Sequence, residues 1–214
     1  MKLYTIACAF MLATTAVSMT GCGLLDKGVQ KYDTLVNKDE DCNRLWSDYE
    51  AQLQRRSDMI PNLVAVVKGS AAHEHSTLQD VIEARAKATS VTLNADDLTD
   101  PAKVEAFKEA QKGLTGALSK MMSIQEQYPS LQANQQFHDL MIQMEGTENR
   151  ILTARRDYNT SVSSYNSELR RVSGEALRVV IGDKTFKPRV YFSADKDAKA
   201  APKVSFEQPS APTK

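Results

Sequence analysis

The groups in this chain that could do chemistry are three histidines, three cysteines, and charged residues set into otherwise apolar helical patterns. His73-Glu74-His75 puts two imidazoles and a carboxylate side by side. Zinc held on a helix needs histidines four apart, as in His-Glu-x-x-His, so that both share a face. Histidines two apart point to nearly opposite sides. This pair could meet a metal only in a loop, with a third ligand from elsewhere; solvated polar residues near a helix start are the expected reading. A di-iron bundle centre would need Glu-x-x-His on two helices. The chain contains no such pair, and Gln135, not Glu, stands three before His138. Gly-x-Ser-x-Gly, a glycine-rich phosphate loop and paired-cysteine metal spacings are also missing from the sequence. No catalytic residue, metal site or cofactor is expected.

Cys22 has a different chemistry. Lys2 is followed by an apolar run over residues 3–17 and then by Met19-Thr20-Gly21-Cys22, with small residues just before the cysteine. This order resembles a bacterial lipoprotein signal, in which the cysteine is lipidated and becomes the first residue of the mature chain. The alternative is an uncleaved transmembrane helix, since residues 3–25 carry no charge and could span about 30 Å of hydrocarbon. The short apolar core favours the signal, predicting a leader over 1–21, a lipid on Cys22 and a tether over 22–28. Either reading attaches the chain to a membrane. Gly23 after the cysteine permits an outer-membrane address where the cell has one. Cys42 would then stand alone in an oxidising compartment. It lies on an apolar stripe, so a buried small side chain is expected rather than a disulfide to another chain.

The balance of charge excludes one large class. Lys+Arg and Asp+Glu are both 27, so no strong field draws nucleic acid to the chain. Few glycines and prolines, 9 and 7, mean few tight turns and long elements.

Those elements are helices. Val29, Tyr32, Val36, Cys42, Trp46, Tyr49, Leu53, Ile60, Leu63 and Val67 follow steps of three and four, with Asp39 and Arg56 filling gaps in the stripe. Pro61 interrupts this run: it either kinks the helix or sits in the first turn of a new one capped by Ser57 or Asp58, the kink being the simpler reading because the stripe keeps its phase across it. A second helix is predicted over 72–90, with Leu78, Val81, Ile82, Ala84 and Ala88 inward. Turn-rich residues 90–100 end in Asp100-Pro101, an N-cap with proline at the first helical position, opening a third helix to about Gln127. The last stripe, Phe137 to Val172, is predicted to continue through Ala176 and Val179. Residues 183–206 hold one short extended apolar piece, Arg189-Val190-Tyr191-Phe192, and the end of the chain reads as disordered. Apolar stripes must be covered, so the predicted fold is all-α: an elongated antiparallel four-helix bundle with long helices over 29–182, followed by an extended and disordered tail over 183–214. A coiled-coil oligomer is the alternative, disfavoured because the two intervening helices supply partners within one chain.

Several blocks together resemble the LemA family of envelope proteins. They are Tyr32-Asp33-Thr34-Leu35-Val36, residues 52–64 (QLQRRSDMIPNLV), Val67-Lys68-Gly69 with His73-Glu74, Glu83-Ala84-Arg85-Ala86-Lys87-Ala88, Tyr128-Pro129, Glu145-Gly146-Thr147-Glu148-Asn149-Arg150-Ile151, Ala154-Arg155-Arg156-Asp157-Tyr158-Asn159 and Tyr165-Asn166. The resemblance runs from about residue 28 to 206. It implies a helical bundle attached to a membrane and brings no established activity with it. It also implies an accessory role beside a membrane protease or a small TPM-type envelope domain. Where the family pattern continues with a Phe-Pro turn, this chain reads Arg170-Arg171-Val172-Ser173-Gly174-Glu175, a run that can lengthen the last helix.

Arg55, Arg56, Glu83, Arg85, Glu148, Arg150 and Arg155 fall in the matching blocks and form the candidate polar cluster, either a surface for a partner or a set of ion pairs fixing helix register. The leading expectation is a non-enzymatic interaction or accessory protein, held to a membrane at the cell envelope, facing the periplasm or the exterior, with an envelope protein as partner. The alternatives are a metal- or ligand-binding module using His73, His75 and bundle carboxylates, and self-association through helix faces or Cys42.

Overall fold

The architecture follows from a computed structural model. It describes the backbone of residues 2–70, 75–123, 127–171 and 186–193, and the side chains of 28–69, 75–123, 127–171 and 186–193. The described residues form helices α1 (Lys2–Ser70), α2 (His75–Ser90), α3 (Pro101–Ser123), α4 (Pro129–Gln132) and α5 (Gln135–Leu169), with one 3-10 turn at Asp97–Thr99. No strand occurs among them. The backbone of the predicted tether, 22–28, continues α1. The leader and Cys22 lie among residues whose side chains are not described, so the lipid and transmembrane readings fall outside the described residues. Within these, no helix is long and apolar enough to cross a membrane.

The helix boundaries have local causes. Asp100 Oδ1 accepts from the amides of Ala102 at 2.9 Å and Lys103 at 3.4 Å, satisfying the first free N–H groups of α3. Asn134 does the same for α5, accepting from the Phe137 amide at 3.2 Å. Ahead of the 3-10 turn, the Asn94 carboxamide oxygen takes the amides of Asp96 and Asp97. Helix α5 stops at Leu169, where Arg170 N–H closes on Asn166 O. The helix predicted through Ala176 and Val179 is therefore broken at Leu169, and residues 172–185 lie outside the described residues.

Helices α1 and α5 run antiparallel. Lys31 pairs with Glu168, Lys38 Nζ donates to Ser164 Oγ at 2.6 Å, and Arg56 reaches Glu148 at 2.9 Å, so one number falls as the other rises. Helices α2 and α3 form a second antiparallel pair, joined across by Lys120–Asp80 at 2.7 Å and by Gln111 Nε2 donating to Ala88 O at 3.2 Å. Residues 28–70 of α1 at 1.5 Å rise extend about 65 Å, which the two shorter helices cannot cover along its whole length.

The core accordingly has two parts. In one, Ile60, Leu63 and Val67 of α1 meet Leu78, Val81 and Ala88 of α2, Leu114, Leu118 and Met121 of α3, and Phe137 and Met144 of α5. This is the predicted four-helix section. In the other, Leu35, Cys42, Trp46, Tyr49 and Leu53 meet Ile151, Tyr158, Val162, Tyr165 and Leu169, and the space left by α2 is filled by Leu93, Leu98, Phe186 and Phe192, with Val104 and Phe107 of α3. The segment 186–193, placed outside the bundle by the sequence reading, is part of its core. At its start the α1 stripe is shifted: Leu35 is fully buried, Val36 is partly buried and packs on the same cluster, and Val29 and Tyr32 are exposed, as is Ile82 on α2.

Candidate functional site

Between the two apolar clusters lies one polar layer. Arg56 on α1 exposes only 2% of its side chain. A guanidinium there needs acceptors in a fixed fork. Nη1 donates to Glu148 Oε1 at 2.9 Å and to Thr115 Oγ1 at 3.0 Å, and Nη2 donates to Gln111 Oε1 at 2.6 Å. The same carboxamide donates onward to Ala88 O. One arginine thus ties α1 to α3 and α5, and through Gln111 to the end of α2.

The neighbouring turn explains why α1 tolerates proline. Pro61 has no N–H to give to Ser57 O, four residues back. That carbonyl accepts instead from Arg85 Nε of α2 at 2.9 Å. The helix runs unbroken to Ser70, so Pro61 ends nothing; it makes a docking point for α2.

A second polar node holds the extended segment. Asn166 gives its Nδ2 to Arg189 O at 2.8 Å and takes the Arg189 amide on Oδ1 at 3.0 Å. Asn159 does the same with Phe192, at 3.0 and 2.9 Å. The two asparagines are seven apart on α5, about 10.5 Å along the axis. Arg189 and Phe192 are three apart, about 10 Å in extended chain. The spacings match, so two carboxamides serve as a sheet edge would, and the Val190 amide donates to Leu98 O at 2.8 Å. Phe186, Arg189 and Phe192 are the buried residues: a period of three, not the two of a strand.

Both inward ends of this clamp are anchored. Arg189 Nε donates to Asp39 Oδ1 at 2.9 Å and Nη2 to Asn43 Oδ1 at 2.7 Å, with its guanidinium carbon 6.0 Å from the centre of the Tyr165 ring. Burial opposes the Arg189 charge, but the bond to Asp39 and its field more than offset this and raise the pKa. The Phe192 ring stacks on Trp46 at 5.4 Å and meets Tyr49, Phe107 and Tyr158 at angles. Burial raises the pKa of Tyr49 and of Tyr158. Cys42 is fully buried against this group. Burial pushes its thiol pKa up, against a hydrogen bond from Ser161 that lowers it.

Two grooves run along the outside. One, of about 410 Å³, lies over the Arg56 layer between α3 and α5, with Tyr49, Leu53, Ile151 and Phe192 as apolar lining and Lys108, Lys112 and Arg155 among its polar residues. The other, of about 740 Å³, follows α5 beside the extended segment. The two share Leu152, Arg155, Phe192 and Ser193.

The seven predicted polar residues do not gather in one place. Arg56 and Glu148 form the internal layer and Arg85 joins it one turn away. Arg155 lines both grooves just described. Arg150 lines a separate groove with Asp48 and Gln52. Arg55 is exposed, and Glu83 is exposed and accepts from Gln79 Nε2 at 2.7 Å. His73 and Glu74 lie outside the described residues, and His75 is exposed at the start of α2. Among the described residues no three His, Cys, Asp or Glu side chains come together at a metal-binding distance. The sequence reading missed Asn43, Asn159, Asn166 and Arg189. Asn159 and Asn166 each follow a buried tyrosine in a repeated Tyr-Asn pair seven residues apart, the one signal that could have found them.

Three curated relatives are similar to this chain. Magnetosome proteins MamQ 1 and MamQ 2 of Paramagnetospirillum magneticum are each 29% identical over 180 residues, covering 77% of this chain and 65% of theirs. Magnetosome protein MamQ of Magnetospirillum gryphiswaldense is 25% identical over 211 residues, covering 91% of this chain and 75% of its own. The chain thus spans just under two thirds of the first two relatives. The LemA family model matches residues 45–206, a stretch that contains the Arg56 layer, the paired asparagines and the extended segment. The chain belongs to the LemA family.

Proposed function

We propose that this protein is a non-enzymatic interaction factor of the cell envelope: a helical bundle tethered to a membrane by lipid on Cys22, facing the periplasm or the exterior, and offering one side to an envelope protein. One observation carries this reading. The charged groups of the family blocks that could have formed a reactive site, Arg56, Glu148 and Arg85, are engaged with other helices, while a groove of about 740 Å³ stays open along α5. The interior polar groups hold register, and the outside is available for recognition. Membership of the family supports the reading, as do relatives that bear the name of magnetosome proteins. A membrane protease or a small TPM-type domain is the kind of partner in view.

Crosslinking in living cells, followed by identification of captured proteins, tests it. An envelope protein recovered above background, and lost when the chain is not expressed, is the expected result. Recovery of nothing across several crosslinker lengths would remove the proposal. The anchor is tested separately: a palmitate analogue should label the wild-type chain and not Cys22→Ser.

A further inference from the structure

The grooves differ in charge although the chain as a whole is neutral: the one that Arg150 lines also holds Asp48 and Asp157. The two connected grooves are lined by Arg56, Lys108, Lys112, Arg155 and Arg156, against a single carboxylate, Glu148. Arg56 already neutralises that carboxylate from within. Lys108 leans on Glu105, which is outside the lining. Arg155 and Arg156 form no ion pair among the described residues. The lining is also apolar in places: Leu152 and Tyr191 are among the large hydrophobic side chains left exposed, at 47% and 40%, and both face this groove. A cationic rim over an apolar floor focuses its field on an approaching anion and rewards a ligand with apolar groups between its charges.

We infer that this groove, along Arg155 and Arg156 to Tyr191, binds an acidic peptide segment of a partner protein, with carboxylates against the two guanidinium groups and apolar side chains against the exposed Leu152 and Tyr191. The inference rests on the interaction role proposed above and names the chemistry of the partner. A chain in extended form suits the site better than a compact ligand, because the two grooves adjoin at Leu152, Arg155 and Ser193, which line both.

The test uses the full chain in non-ionic detergent and a dye-labelled peptide of repeated Glu-Glu-Phe, followed by fluorescence anisotropy. The acidic peptide should bind, and binding should weaken as salt rises to where charges are screened beyond about 8 Å. The matched Lys-Lys-Phe peptide should not bind. Arg155→Glu combined with Arg156→Glu should weaken binding by about tenfold or more. Lys87→Glu, on the exposed face of α2 away from the groove, should leave it unchanged. If the double variant loses its helical circular dichroism, Arg156→Glu alone, fully on the surface, gives the same reading. Absence of acidic-peptide binding, equal binding of the lysine peptide, or indifference to the charge reversals overturns the inference. Binding of anionic phospholipid vesicles with no binding of the peptide also overturns it. A partner captured in cells whose yield ignores the reversals would leave the interaction role standing and sink only this site. Peptide binding in vitro with no partner in cells would do the opposite.

Discussion

A guanidinium removed from water must find its acceptors inside the protein, and Arg56 finds Glu148, Thr115 and Gln111 on two other helices. Truncating it strands all three at once. Breaking a buried pair this way costs about 3–5 kcal/mol; Arg56→Ala should fall toward the lower end, because Glu148 keeps 33% of its side chain in water. Arg56→Met with Glu148→Gln should recover part of that loss, since the double variant keeps the volume and removes both charges while Gln111 Oε1 and Thr115 Oγ1 still lack their donor. Urea titrations of the three proteins check this, and an Arg56→Ala loss below about 1 kcal/mol would show that the layer holds nothing. Burial of weak acids gives a second prediction. Cys42 is held above its ordinary value of 9.0, and Tyr49 above 10.0, with Tyr158 displaced in the same direction. In each case the unfolded chain releases its proton first as pH rises, and the fold keeps it. Stability should therefore be full below about pH 9 and fall above it, more steeply past about pH 10. Denaturant midpoints across that range should show the decline, and Cys42→Ala should remove its first part while leaving the tyrosine part.

At the scale of elements, the joint between α1 and α2 is a proline and an arginine acting together. Ser57 is buried, so its carbonyl without Arg85 would be an unpaired acceptor, at about 1–3 kcal/mol. With Pro61→Ala the helix can supply its own N–H to that carbonyl. Arg85→Ala should destabilise the wild-type chain by that amount and the Pro61→Ala background far less. Additive losses in a double-mutant cycle would refute the pairing. Both residues stood in the sequence as features of their own helices, a kink and a charge. The relation between them was not legible, because nothing in a 3.6-residue pattern says which neighbouring side chain will reach a freed carbonyl. The long stripes were legible for the opposite reason: Trp46, Tyr49, Leu53, Ile60 and Leu63 repeat within one helix, and periodicity is a local property. Asp39 and Arg56 were visible as polar gaps in that stripe, and both prove to be ends of long-range ion pairs, Arg56 with Glu148 of α5 and Asp39 with Arg189 of the extended segment. Their partners were not visible. Arg189 lies 150 residues from Asp39, in a segment whose inward period of three matches neither helix nor strand. Asn159 and Asn166 are ordinary helix-surface residues until an extended chain is laid against them.

The whole molecule is two cores in series, divided by the Arg56 layer. Only the one holding Ile60, Leu63 and Val67 is covered by four helices. The other is built by α1 and α5 with Leu93, Leu98 and the first turns of α3 (Val104, Phe107), and is closed by a segment of eight residues, 186–193, whose Phe192 ring touches Trp46, Tyr49, Phe107 and Tyr158. A cavity in place of that ring costs about 3–5 kcal/mol, and the loss is local, because the ring has no contact with the other cluster. Stability in such a molecule need not be uniform, and parts with fewer covering elements open first. Phe192→Ala should therefore speed amide hydrogen exchange in residues 35–53 and 151–169, together with the Val190 amide that donates to Leu98. Residues 60–67, 114–121 and 137–144 should keep their protection, since their partners are intact. Exchange followed by mass spectrometry over those peptides distinguishes the outcomes. Uniform acceleration from end to end would mean that the polar layer couples the two clusters into one cooperative unit. Protection unchanged throughout would mean that α1 and α5 hold their half without the segment. The expected split, with the boundary falling at Arg56 and Glu148, follows from a layer that is bonded to α3 as well as to the long helices, so that opening one side leaves hydrogen bonds in place on the other.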